Sequence, residues 1–198
     1  MTTPSRFIAL ALRTTRFAIN SATDAELGRP RMIQAIAWIS DQMAALKRFV
    51  GADARLVVVP EYFLTGFPMG EVVLRYRRRM SLFAPSQNDV WDRYISHYGI
   101  DAVFPVADTE LGRISAIASE EILYPDIARA MALRGAEIFL HSSSEIASPI
   151  TTPKNIAKQA RAIENLAYVV SANSAGIQDI AIPAVSTDGS SKVVDFHG

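Results

Sequence analysis

The sequence predicts an α/β fold, either a single sheet with helices on its faces or a layered α-β-β-α sandwich, and three observations carry that expectation. Short apolar runs of strand length recur at 6–12, 54–63, 136–143 and 168–174. Longer segments whose apolar residues step by three and four separate them, the period of a helix with one buried face. Two strand-like runs stop abruptly at polar residues, one at Glu61 and one at Ser119. Open α/β proteins place their chemistry in the crevice beyond such strand ends.

Each element follows from local chemistry. RFIALAL (6–12) reads as a first strand, bracketed by Arg6 and Arg13 and without the small-residue cleavage site of a signal peptide. Pro30 suits a first helical position, and the apolar series Met32, Ile36, Ile39, Met43, Leu46, Val50 follows it until Gly51 closes the helix. ARLVVVPEYF (54–63) is a buried strand whose Pro60 breaks the ladder just ahead of Glu61. EVVLRYR (71–77) reads as another strand, and 103–119 as a hairpin-like pair turning around Glu110 to Gly112. Pro125 opens a helix that ends at Gly135, and AEIFLHSS (136–143) returns as a strand. Thr152 caps a helix with Pro153 at its first position, predicted to bury Ile156, Ala160, Ile163 and Ala167. YVVSANS (168–174) and SSKVVDF (190–196) complete the strands.

Composition narrows the class of function. A chain of 198 residues, 49% of them apolar, can bury one full core, and the whole of 1–198 reads as a single domain. Twenty basic residues balance twenty acidic ones, so no global field draws the chain to nucleic acid or to an anionic membrane. No apolar run approaches the roughly 20 residues of a membrane span, which makes the cytoplasm the expected compartment. The absence of cysteine excludes disulfides, thiolate metal sites and a thiol nucleophile. His97, His141 and His197 show no metal-ligand spacing, and nothing asks for a cofactor. Arg75, Arg77, Arg78 and Arg79 alternate with Tyr76 and read as a solvated face with one arginine turned inward.

Residues 112–126, GRISAIASEEILYPD, hold the most specific pattern: a glycine, a short apolar strand, a small polar residue at a sharp turn, two carboxylates, and a proline opening an Ala-rich helix. This segment resembles the nitrilase superfamily of carbon–nitrogen hydrolases, in which a cysteine occupies the place of Ser119. LVVVPEYFLTGFP (56–68) is similar to the superfamily's strand ending in Pro-Glu, and Tyr76-Arg77-Arg78 to its Tyr-Arg-Lys. The segments 134–145 and 161–176 match the helix–strand units after the nucleophile. The resemblance implies a nitrilase-like α-β-β-α sandwich and a catalytic set of Glu61 as general base, Arg78 as stabiliser of the tetrahedral intermediate, and Ser119 as attacker. Around them Tyr62, Glu120, Glu121 and His141 are candidate substrate-binding residues. Glu120 stands where an aromatic is usual, and Glu121 where an acidic, structural residue is common. His141 either lines the pocket or serves as a hydrogen-bonded structural histidine.

The departures from that pattern shape the functional expectation. A hydroxyl needs stronger activation than a thiol, and arginine offers a planar fork in place of a compact ammonium. Ser119 is then a small polar turn residue, a working nucleophile, or an engineered replacement of cysteine. Phe67-Pro68-Met69-Gly70 runs straight into Glu71, where the family inserts a helix and two strands, and the chain stops at Gly198, where the family continues with closing strands. The chain is thus expected to lack an internal segment and the C-terminal strands, either as a deleted variant or because the numbered sequence omits stretches of a longer protein. Two functions remain open: hydrolysis of a small linear amide, carbamoyl compound or nitrile, weak or absent here, or a silent member that binds a small ligand or assembles with partners. The resemblance also implies a homo-oligomer formed through the helices 125–134 and 153–167.

Overall fold

The computed structural model describes residues 6–17, 19, 22, 25–61, 63–64, 91–144, 152–178 and 191–197. Its first half runs β1 (Ile8–Ala11), β2 (Thr15–Phe17), α1 (Ala25–Val50), β3 (Ala54–Val58) and α2 (Trp91–Tyr98). The second half runs β4 (Ala107–Thr109), β5 (Gly112–Ala118), a 3-10 turn Ser119–Leu123, α3 (Pro125–Leu133), β6 (Ile138–Ser143), α4 (Pro153–Asn165), β7 (Tyr168–Asn173), β8 (Gly176–Gln178) and β9 (Lys192–Val194). The strand expected over 71–77 and the junction at Gly70–Glu71 lie outside the described residues.

The main sheet has the order β4-β5-β6-β7-β9, with β5, β6 and β7 parallel and the two outer strands antiparallel to their neighbours. Parallel pairing requires a crossover, and α3 and α4 supply the two. A second sheet pairs β1 with β3 in parallel, and a third, small one pairs β2 with β8.

Two apolar clusters show how the layers stack. Ile117, Phe139 and Val169 point from one face of the main sheet into a cluster with Ala128, Met131, Ala157 and Ala162 of α3 and α4. Ile138, Val170 and Ala172 point from the opposite face toward Leu56 and Val58 of β3, with Ala9 and Ala11 of β1 packed alongside. Strand alternation explains the split, since neighbouring residues of one strand face opposite ways. Burying such a side chain contributes about 1.5–3 kcal/mol, so the helix layer and the second sheet are both held mainly by this surface. No described helix is long and apolar enough to cross a membrane.

The mixed α/β class, the hairpin at Glu110, both Pro-initiated helices after it and the strands from 136 onward agree with the sequence. Thr152 caps α4 as expected, its hydroxyl oxygen accepting from the backbone N–H of Asn155 at 3.1 Å. Two expectations fail. Helix α1 begins at Ala25, a turn ahead of Pro30, so Glu26 loses the N–H its carbonyl would otherwise receive. Packing compensates: a Cβ placed on Gly28 would stand 3.3 Å from Ile19 Cδ1, so the early turn lies close against the buried Ile19 and Ala22. Buried Ala35 and Ile39 define the inner face, while Ile36 and Met43 are exposed.

The second failure is the face of α4. Ile156 and Ile163, expected inside, are 59% and 50% exposed, whereas Asn155, Lys158 and Arg161 are buried beside Ala157 and Ala162. The helix therefore turns Asn155, Lys158 and Arg161 inward together with Ala157 and Ala162, and its two isoleucines outward. Enlarging the inner face should cost more than thinning the outer one. Ala162→Leu is expected to lower unfolding free energy by about 1–3 kcal/mol. Ile156→Ser should change it by less than about 0.5 kcal/mol, both read by urea unfolding at low protein concentration.

Candidate active site

The carboxyl ends of β5, β6 and β7 carry a change of chemistry on the helix-facing side of the sheet. Below it stand Phe139 and Val169, with Ile117 level with His141, all three buried in the apolar cluster. On the same face follow His141 and Ser171, then Ser143 and Asn173, with Ser119 in the turn just beyond β5, every one of them buried. Polar groups removed from water must be hydrogen-bonded, so the structure of this edge is set by who bonds to whom.

Ser119 leaves β5 with φ of 47°, a left-handed conformation that non-glycine residues seldom adopt. Such backbone costs on the order of 1–3 kcal/mol and survives only where neighbours fix it. Three contacts fix this turn. The backbone N–H of Ala118 donates to Glu121 Oε2 at 2.8 Å, closing the turn from within. Arg161 Nε on α4 donates to the carbonyl of Ile122 at 3.0 Å, while its other arm pairs with Glu164. His141 Nε2 lies 2.9 Å from the carbonyl oxygen of Ser119, and its Nδ1 lies 2.8 Å from Ser171 Oγ. The sharp strand-to-helix turn expected from the sequence is present, but Ser119 is only 1% exposed, so its side chain is enclosed instead of standing open at a crevice.

Glu61 reaches the same edge from the second sheet. It is buried in the turn after β3, and its backbone N–H donates to the carbonyl of Ser143 at 3.3 Å. Ser142 Oγ donates to the carbonyl of Val59 at 2.9 Å. Consecutive residues of β6 thus hold the end of β3 through Ser142 and Ser143 and the turn after β5 through His141. Glu61 and Ser119 are both anchored to the end of β6. Arg78 and Tyr62 lie outside the described residues.

The remaining candidates have defined partners. Glu120 Oε1 accepts from Lys154 Nζ at 3.3 Å in a half-buried ion pair between the turn and the start of α4. Glu121 holds the turn, as described. His141 is wholly buried, with both ring nitrogens engaged. Among the described residues no group of three or more His, Cys, Asp or Glu is gathered to hold a metal ion.

Several contributors were not singled out from the sequence: Ser171, Arg161, Lys154 and the fully buried Lys158, whose Nζ donates to Asn155 Oδ1 at 3.5 Å. One signal for Ser171 existed. IFLH and YVVS both pass from apolar to polar at their fourth residue, and aligning those switches gives the observed pairing of His141 with Ser171. Arg161 and Lys158 gave no comparable signal, because hydropathy assigned them to the solvent face.

The description "carbon-nitrogen hydrolase" belongs to the family model that matches residues 68–198, more than half of the chain. A probable nitrilase of Schizosaccharomyces pombe is 26% identical over 109 residues, 55% of this chain but only 38% of that relative's length. An amidase from Nesterenkonia sp. superposes with a TM-score of 0.60 over 98% of this chain and 84% of its own, at 20% identity. A Glu-to-Gln mutant of the Nesterenkonia sp. AN1 amidase gives a TM-score of 0.57 at 20% identity, again over 98% and 84% of the two chains. That protein carries the acetamide moiety of fluoroacetamide added covalently at its active site cysteine. At such identity the likeness concerns the fold.

The turn's internal bond gives a direct check. Glu121→Ala removes the acceptor that faces the Ala118 N–H and should destabilise the protein by about 1.5–3 kcal/mol, the range for a charged hydrogen bond, read as a lower denaturation midpoint.

Proposed function

This chain belongs to the carbon-nitrogen hydrolase family, and from that premise we propose that its site is built for attack on the carbon of a small linear amide, carbamoyl compound or nitrile, with turnover that is slow or nil. The observation that carries the reading is the left-handed turn at Ser119, buried between β5 and α3, with buried Glu61 tied to the neighbouring strand end. On this reading Glu61 is the base, Ser119 the attacking group, and Arg78 with the backbone N–H after Ser119 the stabiliser of the developing oxyanion. Tyr62 and Glu120 are the candidate substrate contacts on this reading, while Glu121 and His141 bond to the backbone of the Ser119 turn.

In the Glu-to-Gln mutant of the Nesterenkonia amidase the acetamide moiety of fluoroacetamide is bound covalently at the active site cysteine. Carried to this chain, the corresponding attacker is Ser119, and the exchange explains weak chemistry. An alcohol loses its proton far less readily than a thiol, and a carboxylate is a weak base for it. Arginine in place of lysine holds its proton and needs more room. The alternative from another class is a silent member that keeps the fold to bind a small ligand or to assemble.

Ammonia release over a panel of small amides separates the two. We expect release at or near background from the native protein. We expect Ser119→Cys combined with Arg78→Lys to raise it by at least about a hundredfold, since mismatched catalytic groups cost several orders of magnitude. Native turnover that vanishes in Ser119→Ala would instead establish a working serine hydrolase.

Association is the second element of the proposal. Outward-facing Ile156 and Ile163 of α4, with Leu133 at the end of α3 and Leu166 beyond α4, leave large apolar side chains in water. Burying them against a second copy removes that exposure. We expect at least a dimer by light scattering at micromolar concentration, and Ile163→Asp should shift it to monomer. A native monomer would end this part of the reading.

A further inference from the structure

Among the described residues His141 is a buried titratable group with a partner at each ring nitrogen, and those partners say what it does. A carbonyl oxygen only accepts, so at 2.9 Å from the oxygen of Ser119 the Nε2 atom must carry the hydrogen. In the neutral ring Nδ1 is then an acceptor, and Ser171 Oγ, 2.8 Å away, donates to it. The ring is held from both sides, by a hydroxyl on β7 and by the backbone oxygen of the turn after β5. It lies in register with Ile117 on one side and Ser171 on the other, so the three parallel strands themselves fix its place.

The bonded oxygen belongs to the residue with the left-handed φ of 47°. A peptide carbonyl turned into the buried face of a sheet has no water to meet and needs a donor there. His141 supplies it, and any relaxation of Ser119 toward extended backbone would swing that oxygen off the donor. The same bond commits Nε2 to the backbone, so the ring does not present a basic nitrogen to the Ser119 hydroxyl.

We propose that His141 is a positioning residue: its Nε2–H, oriented by Ser171, holds the Ser119 carbonyl and thereby keeps the Ser119 side chain aimed at the bound carbon. This rests on the reading of Ser119 as the attacking position. It differs from both a substrate contact and a general base, because the histidine acts on the backbone of its neighbour.

The chain has no cysteine, so Ser119→Cys carries a single thiol whose reactions report on that one position. Two reagents separate aim from access: chloroacetamide, which uses an amide-binding site, and methyl methanethiosulfonate, which needs only an open path. The ratio of their rates is the measurement. Adding His141→Phe should lower the ratio by about tenfold, because small misplacement of an attacking atom is costly. Adding His141→Gln, whose amide N–H can still reach the carbonyl, should leave it within about threefold. Nitrogen chemical shifts of the native His141 ring should show Nε2 protonated and Nδ1 bare.

A folded His141→Phe variant with an unchanged ratio overturns the proposal, as does a native ring protonated at Nδ1 alone. If His141→Phe does not fold, Ser171→Ala takes its place. A lowered ratio with a shifted tautomer then supports the proposal, and no change in either overturns it. A Ser119→Cys ratio equal to that of free glutathione would sink the attacking-group reading itself. The ring tautomer would still decide whether His141 holds the turn.

Discussion

Backbone that turns back on itself at the end of a parallel strand leaves a carbonyl pointing into the sheet, and the bonding of the Ser119 carbonyl governs this edge of the molecule. His141 can reach it only because β5 and β6 run parallel in a register that sets His141 opposite Ile117, two residues short of the turn. Ser171 can orient the ring only because β7 continues that register. The crossover helices that make parallel pairing possible also roof the edge. From that roof Arg161 reaches down to the carbonyl of Ile122 and Lys154 to Glu120. Topology and chemistry are therefore one constraint here: lose the parallel order and the bonds to the turn have no route.

That constraint explains why the inner face of α4 defeats a hydropathy reading. A helix over an apolar sheet face should turn isoleucines inward, and Ala157 and Ala162 do lie in the apolar cluster. Toward its N-terminal end, however, the same helix covers the turn and the polar strand ends. There a buried Asn155 or Lys158 has partners and an isoleucine would leave polar groups without them. The helix's boundaries were legible, since Thr152 and Pro153 act locally. Its orientation was not, because it depends on what lies beneath. Pro30 misled for a related reason: its effect is local, but the contact of Gly28 with Ile19 that carries α1 back to Ala25 is tertiary.

The site was legible to a different depth at each residue. Glu61 and Ser119 stood out as polar residues that end apolar runs, a pattern that a plain turn serine also produces. The left-handed backbone of Ser119 had no sequence mark, since glycine or asparagine usually fills such a position. His141 was visible as a histidine closing a strand, with its role open between pocket and scaffold. Its partners depend on strand register, which a single sequence encodes only through the matching apolar-to-polar switches of IFLH and YVVS. Arg78 and Tyr62 rest on motif resemblance alone.

The geometry bears on the proposed chemistry through what it makes unavailable. Serine nucleophiles usually take their activation from a neighbouring imidazole, and this chain has one within 2.9 Å of Ser119. That nitrogen faces the backbone oxygen, and the other faces Ser171. To serve as base the ring would have to release a buried carbonyl and loosen a strained turn, losing the aim it was recruited to improve. A carboxylate at Glu61 suits a thiol, which ionises near neutral pH, better than an alcohol. On the proposed reading, then, the same histidine that preserves the shape of an attacking site withholds the proton transfer a serine would need. Ser119→Cys asks for no such transfer from His141, so the proposed limit on turnover lies in the nucleophile's identity and not in the scaffold around it.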